Sequence, residues 1–276
     1  MKGVDILKAL LAVYIAFLVF TYIINPAYNL VPAATTLVWI DAEYILAPIA
    51  ATLAGLYAIR KYDFKSIHGR TMLLIFLGTV SVLVAETLFI GWETLLNERP
   101  FPSVADIFFI LMYPLMFFGA INELRMGKLG MGTRRLALSL AAIIALSAIT
   151  FYYGVYLAYD PEAALLENAL AIGYGIGDIA LIIALVLVIN MSIKFKGGLS
   201  AKTWVIFALA LLGLWGADIL YAMFYDNYMA GEPFYRMIMD YGWLANYLLM
   251  AWFFLKDKAD MDVMKSTALS RERKRK

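Results

Sequence analysis

The feature that most constrains this chain is a series of apolar runs, each about twenty residues long. They span residues 6–25, 41–59, 72–92, 104–122, 135–157, 165–190, 203–224 and 237–255. A helix of twenty residues rises about 30 Å, which matches the hydrocarbon core of a bilayer. Composition agrees, since 63% of the 276 residues are hydrophobic and 16% are charged. The sequence therefore predicts an all-α, polytopic membrane protein with eight transmembrane helices in contact with the lipid bilayer.

The basic residues predict how these helices are oriented. Of the 23 Lys and Arg, all but Arg99 and Arg236 lie in the terminal segments or in three loops that alternate with non-basic loops. Loops rich in Lys and Arg stay on the cytoplasmic side of a membrane. We therefore expect a multi-pass protein of the cell membrane with its N-terminus and C-terminus cytoplasmic, and no cleaved signal peptide. Residues 257–276, which end in RERKRK, are expected to be a disordered basic cytoplasmic tail.

Two long stretches of the chain resemble each other. VAETLF followed by RPFPSVADIFFILMYPLM has a counterpart in GADILY followed by EPFYRMIMDYGWLANYLLM. The matched positions are Glu86 with Asp218, Asp106 with Asp240, and Tyr113 with Tyr247. An even number of spans separates the copies, so both copies have the same orientation. The match predicts a parallel four-plus-four pseudo-repeat, with halves 1–130 and 131–256 related by an axis along the membrane normal.

Carboxylates are concentrated toward the non-basic, outer ends of the spans. A charge at the bilayer centre costs about 3 kcal/mol, so such groups usually face the bundle interior and have partners. Lys8 and Arg135 lie in the first turn of their spans and no Lys or Arg lies deeper in any span, which leaves protons, metal ions, tyrosines, amides or other carboxylates. We expect a water-filled acidic cleft, open to the outer side, that binds a small molecule or a cation. Its predicted ligand- or ion-binding residues are Glu86, Asp106, Asp178, Asp218, Asp240, Tyr113, Tyr221 and Tyr247.

The competing interpretation is that these tyrosines and carboxylates only hold helices together, at about 0.6 kcal/mol for each hydrogen bond. Asp178 separates the two hypotheses most clearly, because it lies deep in an apolar run. We expect its side chain to point into the bundle and to meet Glu86 or Asp218 through a proton, a water molecule or a cation.

The segment around Asp178 also contains a motif. Residues 175–178 read GIGD, which resembles the GxGD motif of intramembrane aspartyl proteases. Those enzymes pair the motif with a Tyr-Asp in the preceding helix and with a later Pro-Ala-Leu. Here Tyr159-Asp160 falls outside the span, no Pro-Ala-Leu occurs, and the predicted orientation of the helix is opposite. We therefore interpret the glycines as sites of close helix contact.

Several cofactors and partners are excluded by residue type. No lysine lies in the middle of a span to form a retinal Schiff base, and one histidine cannot supply a bis-histidine haem. That residue, His68, is expected to be a solvated residue of a cytoplasmic loop. The absence of cysteine excludes disulfides and thiolate metal sites, while the absence of glutamine as well suggests a thermophilic source. We expect no nucleic-acid partner, and the sequence leaves the cofactor, including any metal, open.

Three segments carry a family resemblance. SVADIFFILMYPLMFFG, YGIGDIALIIALVLV, and ADILYAMF with EPFYRMIMDYGWLANYLLM are similar to parts of the eight-span membrane module of bacterial GGDEF/EAL signalling proteins. The resemblance covers about residues 75–255 and implies a sensory or ligand-binding membrane domain. About twenty residues follow Leu255, too few for an output domain, so a separate cytoplasmic signalling protein is the expected partner.

These observations favour an integral membrane sensor or ligand- and ion-binding protein over an enzyme. The first alternative is a cation- or proton-coupled transporter, which needs a second route to the cytoplasm, whereas the inner halves of the spans look dry and apolar. A further alternative is a membrane-embedded hydrolase, which needs paired carboxylates within reach of one water molecule.

Overall fold

The structure is a computed structural model. It describes residues 12–13, 15–17, 19–25, 30–96, 101–127, 132–194 and 198–275. In these ranges every regular element is a helix. Eight α-helices follow a π-helical turn at Phe20–Ile24: α1 Ala33–Ile59, α2 Ile67–Leu96, α3 Val104–Gly127, α4 Thr133–Phe151, α5 Leu165–Lys194, α6 Leu199–Met223, α7 Tyr225–Met229 and α8 Pro233–Arg275.

Six helices, α1 to α6, are long and apolar enough to cross a membrane. They correspond to the second through seventh predicted spans, so the multi-pass helical prediction is confirmed. The first predicted span, 6–25, lies mostly outside the described residues, and the eighth, 237–255, falls within α8. A span count of eight and the cytoplasmic location of the termini therefore stay predictions.

The helices form a ring in which each one packs against the next. The order around the ring is α1, α2, α3, α5, α6 and α8, and α8 closes it by contacting α1. Helix α4 packs on α5 from outside the ring and is extended by a π-helical turn at Tyr152–Tyr156. Large buried side chains such as Phe207, Phe253 and Phe254 fill the interior. The order of neighbours is the one a parallel repeat predicts, with half–half contacts between α3 and α5 and between α8 and α1.

Helix α8 corrects the expectation of a disordered tail. It continues through the predicted tail region to Arg275. The residues of α8 that follow the apolar run still contact the other helices. Thr203 Oγ1 donates to Asp260 at 2.7 Å, and the Lys258 ammonium lies 4.8 Å from the centre of the Tyr57 side-chain ring. Pairs such as Lys258 with Asp262, four residues apart, also favour the helical conformation.

His68 is a second correction. The residue is not a solvated loop residue, since α2 begins at Ile67 and the His68 side chain is 16% exposed. Its ring lies between the carboxylates of Glu123 on α3 and Asp257 on α8. This end of the bundle therefore contains buried polar side chains, whereas the sequence predicted apolar inner halves of the spans. Hydropathy placed the start of the span at residue 72 because the polar first turn of the helix lowers the local average.

Candidate functional site

Six carboxyl groups gather where α3 and α8 begin. This carboxyl cluster consists of Glu43, Glu86, Asp106, Asp178, Asp218 and Asp240. Asp218 is half-buried and the other five residues are no more than 7% exposed. The expected open, water-filled cleft is thus wrong for the described residues, which enclose the carboxyl groups. A surface groove nearby is lined by Trp92, Pro102, Ile107 and Leu166, and no member of the cluster lines it.

Asp240 accepts three tyrosine hydroxyls. Tyr22 donates to Oδ2 at 2.8 Å, while Tyr44 and Tyr228 donate to Oδ1 at 2.6 and 3.0 Å. Arg236, one turn earlier on α8, stacks its guanidinium 5.6 Å from the centre of the Tyr228 ring. Such a set of donors satisfies most of the acceptor capacity of a buried carboxylate.

Glu86 and Asp106 each accept a tyrosine hydroxyl from another helix. Tyr247 donates to Glu86 Oε1 at 2.5 Å, and Tyr174 donates to Asp106 Oδ1 at 2.6 Å. Asp106 Oδ2 also accepts the backbone N–H of Ser103 at 2.6 Å. Because Ser103 directly precedes α3, this contact is one half of a capping box, and Asp106 stabilises the start of its own helix.

Asp178 and Asp218 face each other across α5 and α6. Trp243 Nε1 donates to Asp218 Oδ1 at 2.6 Å and the Tyr113 hydroxyl donates to Oδ2 at 3.3 Å. The Asp178 carboxyl lies within hydrogen-bonding reach of both Asp218 and Tyr113. Its Oδ1 atom is buried and makes no hydrogen bond within the described part of the chain. The predicted contact of Asp178 with Asp218 is therefore present.

The glycines of the GIGD segment allow this close packing. A Cβ atom at Gly177 would lie 2.5 Å from the Tyr113 ring, and one at Gly175 would collide with the backbone of Gly154. The interpretation of these glycines as contact sites is confirmed. Asp160, the nearest match to the protease Tyr-Asp, is an exposed residue of the loop before α5, and its backbone is tied to Asn168 rather than to Asp178.

Besides the bond from Tyr22 to Asp240, four tyrosine–carboxyl bonds cross between the two predicted halves. They are Tyr113 to Asp218, Tyr247 to Glu86, Tyr174 to Asp106, and Tyr44 to Asp240. In the first two bonds, matched tyrosines of the proposed repeat each donate to the matched acid of the other half. In the other two bonds, Tyr44 of α1 donates to Asp240 of α8, and Tyr174 of α5 donates to Asp106 of α3. The predicted repeat accounts for this reciprocity without further assumptions.

Seven of the eight predicted site residues take part in these contacts. The eighth, Tyr221, instead packs its ring edge-on against Tyr228 and Trp243, with centroid distances of 5.2 and 5.7 Å. The list predicted from the sequence lacks six members of the site: Glu43, Tyr22, Tyr44, Tyr174, Tyr228 and Trp243. One signal was available for Trp243, which stands three residues after Asp240 and four before Tyr247, on the same helix face.

Within the described ranges, no three acidic or histidine side chains converge in a way that could hold a metal.

A scan against protein-family models and searches of curated proteins and of solved structures found no match to this chain.

Proposed function

We propose that this membrane protein is a sensor whose carboxyl cluster takes up and releases a proton, with Asp178 and Asp218 as the primary site. One observation carries the proposal: two carboxyl groups meet in the bundle interior, and α5 and α6 bear no Lys or Arg between Leu165 and Ile193 or between Thr203 and Met223. Two ionised carboxylates this close in a low dielectric repel strongly, so the pair retains one proton unless a cation neutralises it.

The hydrogen bonds indicate which member holds the proton. Asp218 receives N–H and O–H donors on its two oxygens, an environment that favours a carboxylate. Asp178 has a buried Oδ1 without a donor, an environment that favours the neutral acid. In the proposed resting state, Asp178 is therefore the acid that donates to Asp218.

Helix α8 connects this site with the region proposed to contact a partner protein. Trp243 of α8 bonds directly to Asp218, so a change in the charge of the pair changes the strength of a contact made by α8. That helix runs on to Arg275, and its distal part is the proposed contact with a separate cytoplasmic signalling protein. The resemblance to GGDEF/EAL membrane modules supports the same role.

The pH dependence of unfolding in lipid nanodiscs tests the proposal. Above about pH 6 nearly all carboxyl groups of the unfolded chain have lost their protons, while the folded pair still holds one. The folded state then binds more protons than the unfolded state, so stability falls as pH rises, by up to about 1.4 kcal/mol per pH unit. Asp178→Asn removes this proton, and we expect the slope to become shallower by that amount.

Asp226→Asn is the matched control, because Asp226 is an exposed aspartate near the same end of the bundle. It is expected to keep the wild-type slope. A slope in Asp178→Asn equal to that of the wild type would refute proton binding by the pair. Proton flux through the wild-type protein in liposomes, measured with an internal pH dye, would assign transport in place of sensing.

A second candidate function is membrane-embedded hydrolysis, and the facing Asp178 and Asp218 carboxyls favour it. An aspartate pair that shares a proton is the catalytic group of aspartic proteases. A transition-state analogue of peptide hydrolysis, bearing a hydroxyl in place of the attacked carbonyl, would then raise the unfolding temperature of the wild type and not of Asp178→Asn. The enclosed cluster favours the sensor, for which no shift is expected in either protein.

A further inference from the structure

A second set of titratable groups lies at the opposite end of the bundle. This histidine cluster consists of Tyr62, His68, Glu123 and Asp257. His68 Nδ1 lies 3.0 Å from Glu123 Oε1, and His68 Nε2 lies 3.1 Å from Asp257 Oδ2. The Tyr62 hydroxyl donates to the same Asp257 oxygen at 2.5 Å, and its ring stands edge-on to the imidazole at 5.4 Å.

The geometry determines the charge of His68. A neutral imidazole has one N–H and one lone pair, so it can donate to only one of two carboxylates. Both ring nitrogens of His68 face carboxylate oxygens, and both contacts are hydrogen bonds only if the ring is an imidazolium. The groups that face it are Glu123 from α3, Asp257 from α8, and Tyr62 from the segment between α1 and α2. Burial and the nearby Asp257 carboxylate raise the pKa of Tyr62, which keeps this hydroxyl a neutral donor.

The two clusters are carried by the same helices. On α2, His68 and Glu86 are 18 residues apart, on α3 Asp106 and Glu123 are 17 apart, and on α8 Asp240 and Asp257 are 17 apart. A helix rises 1.5 Å per residue, so each pair is separated by about 25 to 27 Å. Helices α2, α3 and α8 therefore each present a titratable group at both ends of an apolar layer about as thick as a bilayer core.

We propose that the histidine cluster is a second proton-binding site, which takes its proton from the aqueous phase at its own end of the bundle and thereby clamps α8 to α2 and α3. When the proton leaves, His68 can donate to only one carboxylate. Glu123 and Asp257 then face each other with no cation between them, and the attachment of α8 weakens. This inference does not depend on the carboxyl cluster, and it stands whether or not that cluster binds protons.

The single histidine of the chain makes the site directly observable. The protein is labelled with ring-¹⁵N histidine, purified with a tag that contains no histidine, and studied by NMR in nanodiscs. At about pH 7.5 a solvated histidine is mostly neutral. The expected spectrum instead shows protons on both ring nitrogens of His68. A neutral ring with one protonated nitrogen at this pH would overturn the proposal.

Two variants show that the carboxylates hold the proton. Glu123→Gln and Asp257→Asn each remove one negative partner, and each is expected to give a mostly neutral ring at about pH 7.5. Asp262→Asn is the control on the same helix, because Asp262 is 51% exposed and pairs with Lys258 rather than with His68. It is expected to leave the imidazolium unchanged. An imidazolium that persists in Glu123→Gln and in Asp257→Asn would contradict the two-carboxylate site.

A spin label at position 264 tests the clamp itself, since Met264 lies on the exposed distal part of α8. Its mobility is expected to rise over the same pH range in which His68 loses its proton. With His68→Gln the label is expected to be mobile at every pH, while the helical content by circular dichroism stays at the wild-type value. Label mobility that does not change while the ring titrates would overturn the clamp.

Discussion

A tyrosine hydroxyl donating to a buried carboxyl group is the recurring contact of the carboxyl cluster. The acids differ in how many such donors they have. Asp240 accepts three hydroxyls, whereas Glu86 accepts one, from Tyr247, among the described residues. Loss of a hydrogen bond costs most when it leaves a buried acceptor with no partner. The same chemical change should therefore have different consequences at different acids.

We predict that Tyr247→Phe destabilises the protein more than Tyr228→Phe. The first change leaves Glu86 without its hydroxyl donor, at a cost of about 1 to 3 kcal/mol. The second leaves Asp240 with two donors and should cost nearer the 0.6 kcal/mol that is typical of polar contacts in membrane bundles. Chemical unfolding in mixed micelles measures both values. Equal losses in the two variants would mean that the number of donors does not set the stability of these acids.

The sequence predicted the acids of this site better than their donors. An ionisable residue within an apolar run is conspicuous, because its burial needs a partner. Tyrosine is not conspicuous, since the chain has 18 of them and many belong to interfacial belts. Tyr22 and Tyr44 reach Asp240 only because the first helical segments pack on α8. That contact depends on the closure of the ring, which no local pattern encodes.

Among the elements, α8 departs most from what its hydropathy indicates. The apolar run ends at Leu255, but the helix continues for twenty further residues. Charged side chains keep it attached beyond this point: Asp257 in the histidine cluster, and Asp260, which accepts from Thr203. Hydropathy scales count such residues as solvent-exposed, so pairing between charged groups of different helices is invisible to them. A helix about 65 Å long results, more than twice the thickness of a bilayer core.

Truncation of α8 tests this attachment. A chain ending after residue 264 retains every contact of Asp257 and Asp260 and should unfold at close to the wild-type temperature. A chain ending after residue 255 keeps the apolar run but leaves His68 with one carboxylate. Breaking a buried charge pair typically costs about 3 to 5 kcal/mol, so this second truncation should be strongly destabilised in thermal unfolding. If the two truncated chains were equally stable, the distal contacts of α8 would have no structural role.

At the scale of the whole molecule, two layers of polar side chains are separated by an apolar layer. The layer of carboxyl groups and the layer around His68 lie at opposite ends of α2, α3 and α8. The alternation of basic loops predicts that the histidine end faces the cytoplasm. In that orientation, and under the two proposals made above, protons from the two aqueous phases act on different clusters. Signals from both sides of the membrane then converge on α8.

Cysteine labelling tests the orientation, because the chain contains no cysteine of its own. Glu162, in the loop before α5, and Met264 on α8 are both exposed. A cysteine at 162 should react with a membrane-impermeant maleimide in intact cells. A cysteine at 264 should react only after permeabilisation. Reaction of both positions from the same side would contradict the predicted topology.

The central claim is that Asp178 and Asp218 share a proton, and infrared difference spectroscopy tests it most directly. A protonated carboxyl group has a C=O stretching band that a carboxylate lacks. The wild-type protein in nanodiscs is predicted to show this band at mildly acidic pH and to lose it on titration to alkaline pH. Asp178→Asn should lack that contribution, because it removes the carboxyl group that holds the proton, while Asp226→Asn keeps it. A wild-type protein with no such band at any pH, or an Asp178→Asn variant with an undiminished band, would contradict the account.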